Sequence, residues 1–201
     1  MKEHPILFSA PMVRAILDGS KTQTRRVIKP QPLWEEPPGQ SNTDPQLWCG
    51  RYICGDGAEI DERTCPYGVP GDRLWIRETW AIHPRFDTIL YRADSESFGD
   101  ANGYGLWKPA WTPSIHMSRK LSRVDLEITA VRVERVQEIS EEDIIAEGIK
   151  QKWTCLNPGT GSYAKENNIY DDFKSLWDSI NGKKNQWAGN PYVWVVEFKR
   201  I

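Results

Sequence analysis

The chain has 201 residues, 39% of them hydrophobic, with a formal net charge of −2 and a pI near 6.0. This length can bury one proper core, so we expect a single domain over residues 1–201. No run approaches the roughly 18 apolar residues that cross a bilayer, and no signal-like apolar core follows residues 1–5, so we expect a soluble, cytoplasmic protein without membrane contact. The acidic balance argues against a protein that holds a duplex through many phosphate contacts.

A short helix is predicted close to the N-terminus. Ser9 is a typical N-cap, Pro11 suits the first helical turn, and residues 12–17 supply helix formers with apolar spacing. Gly19 stands where a left-handed residue commonly ends a helix. The helix is therefore expected to end just before Lys21.

The segment Gly-Ser-Lys-Thr-Gln-Thr-Arg-Arg at residues 19–26 follows this helix. Alternation from residue 22 onward predicts a strand. Its two faces are Thr22, Thr24 and Arg26, and Gln23, Arg25 and Val27. Lys21, in the preceding turn, has a stem long enough to reach Thr24. These residue types suit chemistry on an anion or a polar carbonyl. They also suit a plain connection, since Thr favours strands and Lys and Arg keep a surface soluble.

Two long irregular insertions are predicted, at about residues 29–71 and 83–118. The first is rich in proline and shows neither a period of two nor a helical face. Its aromatic residues, among them Trp34 and Trp48, indicate that it packs on the body of the protein, because disordered tracts are poor in aromatics. The second is broken by one strand candidate at residues 88–92 and could form a wall over a pocket.

Strands are predicted at residues 73–79, 124–136 and 192–199. In the first, Leu74, Ile76 and Glu78 share one face. The second has the clearest strand signal in the chain, and its apolar residues change phase near Ala130. That change predicts a bend of the kind a small barrel needs to turn a corner.

Two further helices are predicted. One begins at Ser140, a good cap followed by acids in the first turn, and ends at Glu147 and Gly148. The other spans residues 170–180, and its apolar face consists of Phe173, Leu176, Trp177 and Ile180. Strands with a few peripheral helices indicate an α+β fold built on a barrel.

The four cysteines, Cys49, Cys54, Cys65 and Cys155, fit no zinc-site spacing. We expect reduced thiols, no metal and no cofactor. Of the ten tryptophans, Trp177 and Trp194 lie on predicted buried faces. Those kept as possible base-stacking groups are Trp75, Trp80, Trp107 and Trp111.

Basic residues form two groups along an otherwise acidic chain. The groups are Lys21, Arg25, Arg26 and Lys29, and Lys108, Arg119, Lys120 and Arg123. Together they could line one cleft that receives an anion. Alternatively, each is a solvated face balanced by the acidic runs at residues 59–62 and 138–143.

Three segments together resemble the ASCH domain family, which has a PUA-like β-barrel and is linked to RNA. They are the helix with its Gly-Ser-Lys-Thr-x-Thr-x-Arg continuation, residues 70–78 (Pro-Gly-Asp-Arg-Leu-Trp-Ile-Arg-Glu), and the closing strand at residues 193–198 (Val-Trp-Val-Val-Glu-Phe). The resemblance covers roughly residues 6–28, 68–80, 121–149 and 190–201. The length of the chain and its segment Pro-Ser-Ile-His-Met at residues 113–117 are similar to ASCH proteins carried by phages and prophages.

Within that family, compact bacterial amidohydrolases remove the acetyl group of N4-acetylcytidine. The resemblance implies Thr24 as nucleophile, Lys21 as its base and Glu147 as acid and base. An amide carbonyl is a poor electrophile, so the hydroxyl must lose its proton as it attacks. A lysine accepts that proton only if its pKa falls well below about 10, which burial beside a guanidinium would favour. Arg26 or backbone amides near Lys21 would stabilise the oxyanion.

The sequence therefore predicts a hydrolase acting on a modified nucleoside or a base in single-stranded RNA. The expected substrate-binding residues are Arg25, Arg26, Trp75, Arg77, Trp80 and His116. A non-catalytic RNA-binding module using the same cleft is the alternative, although the acidic balance weakens it. A ribonuclease in which Lys21 and His116 move protons is a third option.

Overall fold

The structure, a computed structural model, describes residues 1–31, 47–54, 57–97, 109–157, 161–182 and 184–201. Trp34, Trp107 and Lys108, which appear in the predictions above, lie outside these residues. The side chains of Cys49, Cys54 and Cys155 are likewise outside the description, whereas Cys65 is buried. The structure therefore describes only the Cys65 side chain, and the expectations for the other three cysteines stay predictions.

The described residues form eleven strands and three α-helices. The strands are β1 (Glu3–Leu7), β2 (Gln23–Val27), β3 (Leu47–Cys54), β4 (Gly57–Thr64), β5 (Arg73–Arg77), β6 (Trp80–Ile82), β7 (Ile89–Tyr91), β8 (Asp125–Arg135), β9 (Trp153–Asn157), β10 (Ser162–Lys165) and β11 (Tyr192–Arg200). The helices are α1 (Ala10–Leu17), α2 (Glu141–Ala146) and α3 (Ile169–Asn181). The predicted α+β class is confirmed.

The main sheet has the strand order β1-β5-β8-β11-β2, with β1 and β2 at its edges. Strand β1 runs parallel to β5, whereas β5 is antiparallel to β8 and β11 is antiparallel to β2. Three further pairs, β3–β4, β6–β7 and β9–β10, form two-stranded sheets. Within the described part of the chain none of these sheets closes into a barrel, so the PUA-like barrel stays a prediction.

The chain divides into two compact units. The first unit comprises Met1–Lys21, Tyr67–Thr129 and Phe198–Ile201, and the second comprises Thr22–Pro66 and Ala130–Glu197. Strands β8 and β11 each contribute residues to both units. The expectation of one domain over residues 1–201 stays a prediction.

The first unit packs α1 in a core with the strands β1, β5 and the start of β8. Ile6, Leu74 and Leu126 are each 1% exposed or less, as is Val13 of the helix. The helix begins after Ser9 and is followed by Gly19 with a φ of +80°, in agreement with the prediction of a left-handed residue there. No side-chain hydrogen bond from Ser9 caps it.

The second unit packs α2 and α3 on the β2–β11 pair. Its core consists of Val136, Ile139, Ile144, Ile169, Phe173, Trp177, Val193 and Val195. The predicted burial of Trp177 and Trp194 is confirmed. The prediction for Ile180 was wrong, because this side chain in the last turn of α3 is 52% exposed. In β8, Ile128 and Val131 are buried, which confirms the change of phase near Ala130.

The first insertion is not irregular throughout, which corrects the sequence prediction. Strands β3 and β4 pair from Leu47 with Thr64 to Cys54 with Gly57. Strand β4 reads Gly-Ala-Glu-Ile-Asp-Glu-Arg-Thr and is polar at most positions, so no apolar alternation marks it. The backbone pairing of the two strands defines this hairpin. In the second insertion, β7 at Ile89–Tyr91 agrees with the strand predicted at residues 88–92.

No helix of the described residues is both long and apolar enough to span a bilayer. The same residues hold no group of three or more His, Cys, Asp and Glu side chains arranged to bind a metal ion.

Candidate functional site

Strand β2 carries three consecutive buried polar residues. Gln23, Thr24 and Arg25 are 2%, 3% and 6% exposed. Their backbone is fixed by β11, with Thr24 opposite Val196 and Arg25 opposite Val195. Since side chains alternate along a strand, Gln23 and Arg25 point to one face and Thr24 to the other, as predicted. Burial of polar groups is costly unless they have partners, so the partners of these side chains bear on what the strand can do.

Helix α2 places Glu147 beside the start of this strand. The Ser140 hydroxyl accepts a hydrogen bond from the Asp143 amide at 3.1 Å, and Glu147 is the C-cap, with its amide bonded to the Asp143 carbonyl at 2.8 Å. The Thr22 amide donates to the Ala146 carbonyl at 2.8 Å. Glu147 is therefore fixed at the C-terminus of α2, next to residue 22, and is 8% exposed.

Arg25 lies among three carboxylates. Its Nη2 donates to Glu134 Oε2 at 2.9 Å and to Asp143 Oδ2 at 2.6 Å, and its Nη1 lies 3.6 Å from Glu147 Oε1. The Arg25 side chain is only 1% exposed. An arginine with these neighbours is already neutralised, so it is poorly suited to the substrate contact that the sequence suggested. Its position instead fits a residue that holds Glu147.

Arg132 extends this group toward solvent. Its Nη2 donates to Asp143 Oδ2 at 2.9 Å, and it also pairs with Glu134 and Glu197. We call the whole group the Arg25 cluster; its members are Arg25, Arg132, Glu134, Asp143, Glu147 and Glu197. Burial raises the pKa of Asp143, but the hydrogen bond and charge of Arg25 and the charge of Arg132 outweigh it, so this pKa lies below its ordinary value. The cluster therefore keeps Asp143 ionised.

Lys21 belongs to the first unit and is 2% exposed. Its amide donates to the Ala15 carbonyl at 2.9 Å, and its Nζ lies 6.0 Å from the centre of the Phe8 ring. Burial removes the side chain largely from water, and the face of the Phe8 ring attracts its positive charge. Thr24 and Glu147, the other two predicted catalytic residues, belong to the second unit.

Trp75 and Arg77, two of the predicted binding residues, lie together in the first unit. The Arg77 guanidinium is 5.6 Å from the Trp75 ring centre, and Arg77 Nη2 donates to the Ile115 carbonyl. His116 follows Ile115 in the chain and is exposed. Arg119 lies 5.9 Å from the same Trp75 ring. Trp75 therefore contacts guanidinium groups and is only partly available for base stacking.

Trp80 and Arg26 occupy other positions. Trp80 pairs with Tyr91 across β6 and β7 and bridges to Thr112, and it is partly buried. Arg26 is partly buried in the second unit, opposite Trp194 in β11, and shares the face of Thr24 by alternation. Of the two β2 arginines, Arg26 is therefore the one on the face of the proposed nucleophile.

The sequence missed the ion pairs of the basic group at residues 108–123. Arg119 pairs with Glu3 and Asp125 at 3.0 Å each. Arg123 pairs with Glu78 at 2.9 Å and Asp94 at 2.6 Å, and its guanidinium lies 3.9 Å from the Tyr91 ring centre. Arg119 and Arg123 are thus each balanced by acidic residues of the first unit.

Glu78 is 2% exposed, and its burial raises the pKa although Arg123 opposes the shift. A carboxyl whose folded pKa lies above its ordinary value of 4.5 binds its proton more tightly in the folded state. Its contribution to stability is therefore fully present below pH 4.5 and is lost as the pH rises through the folded pKa.

Glu78→Gln should consequently weaken the loss of stability that accompanies a rise in pH. We expect the difference in free energy of unfolding, variant minus wild type, to increase as the pH rises from 4 toward 8. Chemical denaturation across this range measures it. Glu166→Gln, at an exposed carboxylate, serves as the control. Parallel curves for wild type and Glu78→Gln would contradict the prediction.

Comparison with known proteins gives no matching family model, no similar curated protein and no similar solved structure. The resemblance to the ASCH family therefore stays a prediction carried by the residues quoted for it.

Proposed function

We propose that this protein is a hydrolase of the ASCH type that cleaves the amide bond of an N-acylated nucleobase, with N4-acetylcytidine as the model substrate. The observation that carries the proposal is the buried Glu147 at the end of α2, held beside Arg25 and joined to the start of the Thr24 strand by the Thr22–Ala146 hydrogen bond. A carboxyl that is 8% exposed and held beside a guanidinium has a fixed position from which it can exchange a proton with a group brought next to it.

In this proposal the Thr24 hydroxyl attacks the amide carbonyl, and the neutral amine of Lys21 takes the hydroxyl proton. The developing oxyanion is stabilised by Arg26, which shares the strand face of Thr24. Glu147 protonates the exocyclic amine as the C–N bond breaks, leaving an acetyl ester on Thr24 and free cytidine. Glu147 then accepts a proton from the water that attacks the ester, and the Lys21 ammonium returns its proton to the Thr24 oxygen as the ester bond breaks and acetate is released.

Arg25 is a positioning residue in this scheme. It lies on the opposite strand face from Thr24 and contacts Glu147 at 3.6 Å. Glu134 and Asp143 fix its guanidinium from the other side with hydrogen bonds of 2.9 Å and 2.6 Å. This arrangement supports a carboxylate that must keep one orientation through two proton transfers.

The non-catalytic RNA-binding alternative has weaker support. A module that binds through phosphates needs cations free to meet them. Arg25, Arg119 and Arg123 are instead engaged with carboxylates at 2.6–3.6 Å. The ribonuclease option depends on His116, which is exposed in the first unit.

The test is release of cytidine and acetate from N4-acetylcytidine, compared between wild type, Glu147→Gln and Glu142→Gln. Glu142 lies exposed on the same helix and is the matched control. We expect Glu147→Gln to lower kcat/KM by roughly 10²–10⁴-fold, the usual contribution of a general acid or base, and Glu142→Gln to leave it unchanged. Absence of turnover by the wild type on this and other N-acylated nucleosides would exclude the proposal.

A further inference from the structure

The buried amide side chain of Gln23 has no part in the proton transfers proposed above. Gln23 is 2% exposed, and its Nε2 donates a hydrogen bond to the Asp143 carbonyl at 2.9 Å. The same carbonyl accepts from the Glu147 amide at 2.8 Å. A carbonyl oxygen has two lone pairs and can accept both bonds. One backbone oxygen of α2 therefore contacts both a side chain of β2 and the residue proposed as acid and base.

A second hydrogen bond joins the same two elements of the second unit. The Thr22 amide donates to the Ala146 carbonyl at 2.8 Å. Asp143 and Ala146 are three positions apart, so they are neighbours on one side of the helix. Two consecutive residues at the start of β2 thus bind carbonyls one turn apart in α2. A single bond would let the helix pivot about it, whereas two bonds fix its orientation against the strand.

Asp143 is held from β2 at both its backbone and its side chain. Gln23 binds the carbonyl, and Arg25 Nη2 donates to Oδ2 at 2.6 Å. The two side chains share one face of β2, because residues two apart in a strand point the same way. Arg25 contacts the carboxyl of Glu147, whereas Gln23 fixes the backbone that carries Glu147. The contributions of these two residues are therefore distinct.

Gln23 cannot orient a substrate at Thr24 by direct contact. The two side chains point to opposite faces of β2, since they are adjacent in the strand. A carbonyl carbon next to the Thr24 hydroxyl would have the backbone of the strand between it and the Gln23 amide. Any effect of Gln23 on the reaction must therefore pass through another residue, and Glu147 is the site residue whose backbone shares its acceptor.

We propose that Gln23 is a positioning residue, whose hydrogen bond to the Asp143 carbonyl holds the C-terminus of α2 against β2 and so keeps Glu147 in place for proton transfer. This inference rests on the proposed function, which it deepens by naming a residue that orients the acid. A displacement of about 1 Å at a reacting group can cost about 10²-fold in rate. A bond that prevents such a displacement should affect kcat more than KM.

The first test is the hydrolysis of N4-acetylcytidine by Gln23→Met, which keeps the length of the side chain and removes the donor. We expect kcat to fall roughly 10–100-fold while KM changes by less than about two-fold. Gln137→Met is the matched control, because Gln137 Nε2 donates to the Trp187 carbonyl at 2.7 Å elsewhere in the second unit. The control should retain the wild-type kcat. An unchanged kcat in Gln23→Met would overturn the inference.

A double-mutant cycle with Glu147→Gln separates positioning from general damage to the fold. If Gln23 acts through Glu147, Gln23→Met should lower kcat in the wild-type background and have no further effect in the Glu147→Gln background. A fall of similar size in both backgrounds would show that Gln23 acts independently of Glu147, which would overturn the proposed role. The melting temperatures of the single and double variants verify that each protein is folded.

Amide hydrogen exchange tests the role of the Gln23 bond without turnover. The Glu147 and Thr22 amides should exchange about 10-fold faster in Gln23→Met. The Ile144 amide, bonded to the Ser140 carbonyl at 3.0 Å, should exchange as in the wild type. Gln23→Leu, a second variant without the donor, gives the same test if the methionine variant does not fold.

The exchange result distinguishes failure of this inference from failure of the proposed function. Unchanged exchange at Glu147 in both donor-free variants would overturn the positioning role even if the wild type hydrolyses the substrate. Faster exchange at Glu147 and Thr22, in a protein whose wild type hydrolyses no N-acylated nucleoside, would support Gln23 as the residue that fixes Glu147 and would exclude the hydrolase.

Discussion

Thr24→Ala is expected to lower kcat/KM for N4-acetylcytidine by roughly 10⁴-fold or more, since a covalent route loses its first step with its nucleophile. Thr24 is 3% exposed and its backbone is fixed by pairing with Val196, so the replacement removes a hydroxyl without moving the strand. Release of cytidine measured over several hours gives the residual rate. Acetylated wild-type protein, trapped at early times, should carry the added mass on the peptide containing residue 24.

Two variants separate chemistry from structure in this experiment. Thr24→Ser keeps the hydroxyl and should retain a measurable rate, whereas Thr22→Ala removes an exposed threonine two residues earlier and should match the wild type. A Thr24→Ala protein that hydrolyses the substrate at the wild-type rate would show that residue 24 is not the nucleophile. Thermal unfolding of each variant verifies that the fold is intact.

Arg25→Met should lower the free energy of unfolding by about 3–5 kcal/mol, the usual effect of removing one partner from a buried ion pair. The variant leaves Glu134, Asp143 and Glu147 facing one another without the guanidinium that lies between them. For a chain of this length the corresponding fall in melting temperature is roughly 10 °C. Urea denaturation at pH 7 measures the change directly.

The ion pair between Arg25 and Asp143 gives this prediction a second test. Adding Asp143→Asn to Arg25→Met should recover part of the lost stability, because Arg132, the guanidinium that remains in the Arg25 cluster, then faces one carboxylate fewer. Arg85→Met, at an exposed arginine over the Phe86 ring, should change the free energy of unfolding little. A loss below about 1 kcal/mol in Arg25→Met would mean that water already compensates the three carboxylates.

Elements with strong local signals could be predicted from the sequence. Helix α2 follows the Ser140 cap and its acids, and α1 ends before Gly19, as predicted. Strand β8 has alternation over eleven residues, so its existence and its change of phase were both visible. Each of these signals depends on residues close together in the chain.

Elements without apolar alternation could not be predicted in this way. Strands β3 and β4 are defined by pairing with each other, and β9 and β10 expose the aromatic residues that would ordinarily indicate a core. Strand β1 is short, contains Pro5 and acquires its place by pairing with β5, which begins 70 positions later. Pairing of this kind is a tertiary property that composition does not reveal.

The ion-pair partners of the charged site residues could not be predicted from the sequence either. Arg25 was predicted as a substrate ligand because it follows Thr24 in a basic segment. Its carboxylate partners Glu134 and Asp143 are 109 and 118 positions away. Lys21, Thr24 and Glu147 are buried, which is unusual for polar residues. They were chosen as candidate site residues from the family resemblance, however, and not from a signal of burial in the sequence.

The interleaving of the two units has a consequence for the order in which the protein folds during synthesis. The first unit includes both Met1–Lys21 and Phe198–Ile201, and the second requires residues up to Glu197. The Arg73 amide bonds to the Lys2 carbonyl, and the Ile201 amide bonds to the Asp125 carbonyl. Neither unit can therefore be completed until nearly all 201 residues have left the ribosome. At about 5–20 residues per second, the β1 strand waits several seconds or more for its full complement of partners. Such delayed, distant pairing predicts slow folding and a need for protection of the nascent strands.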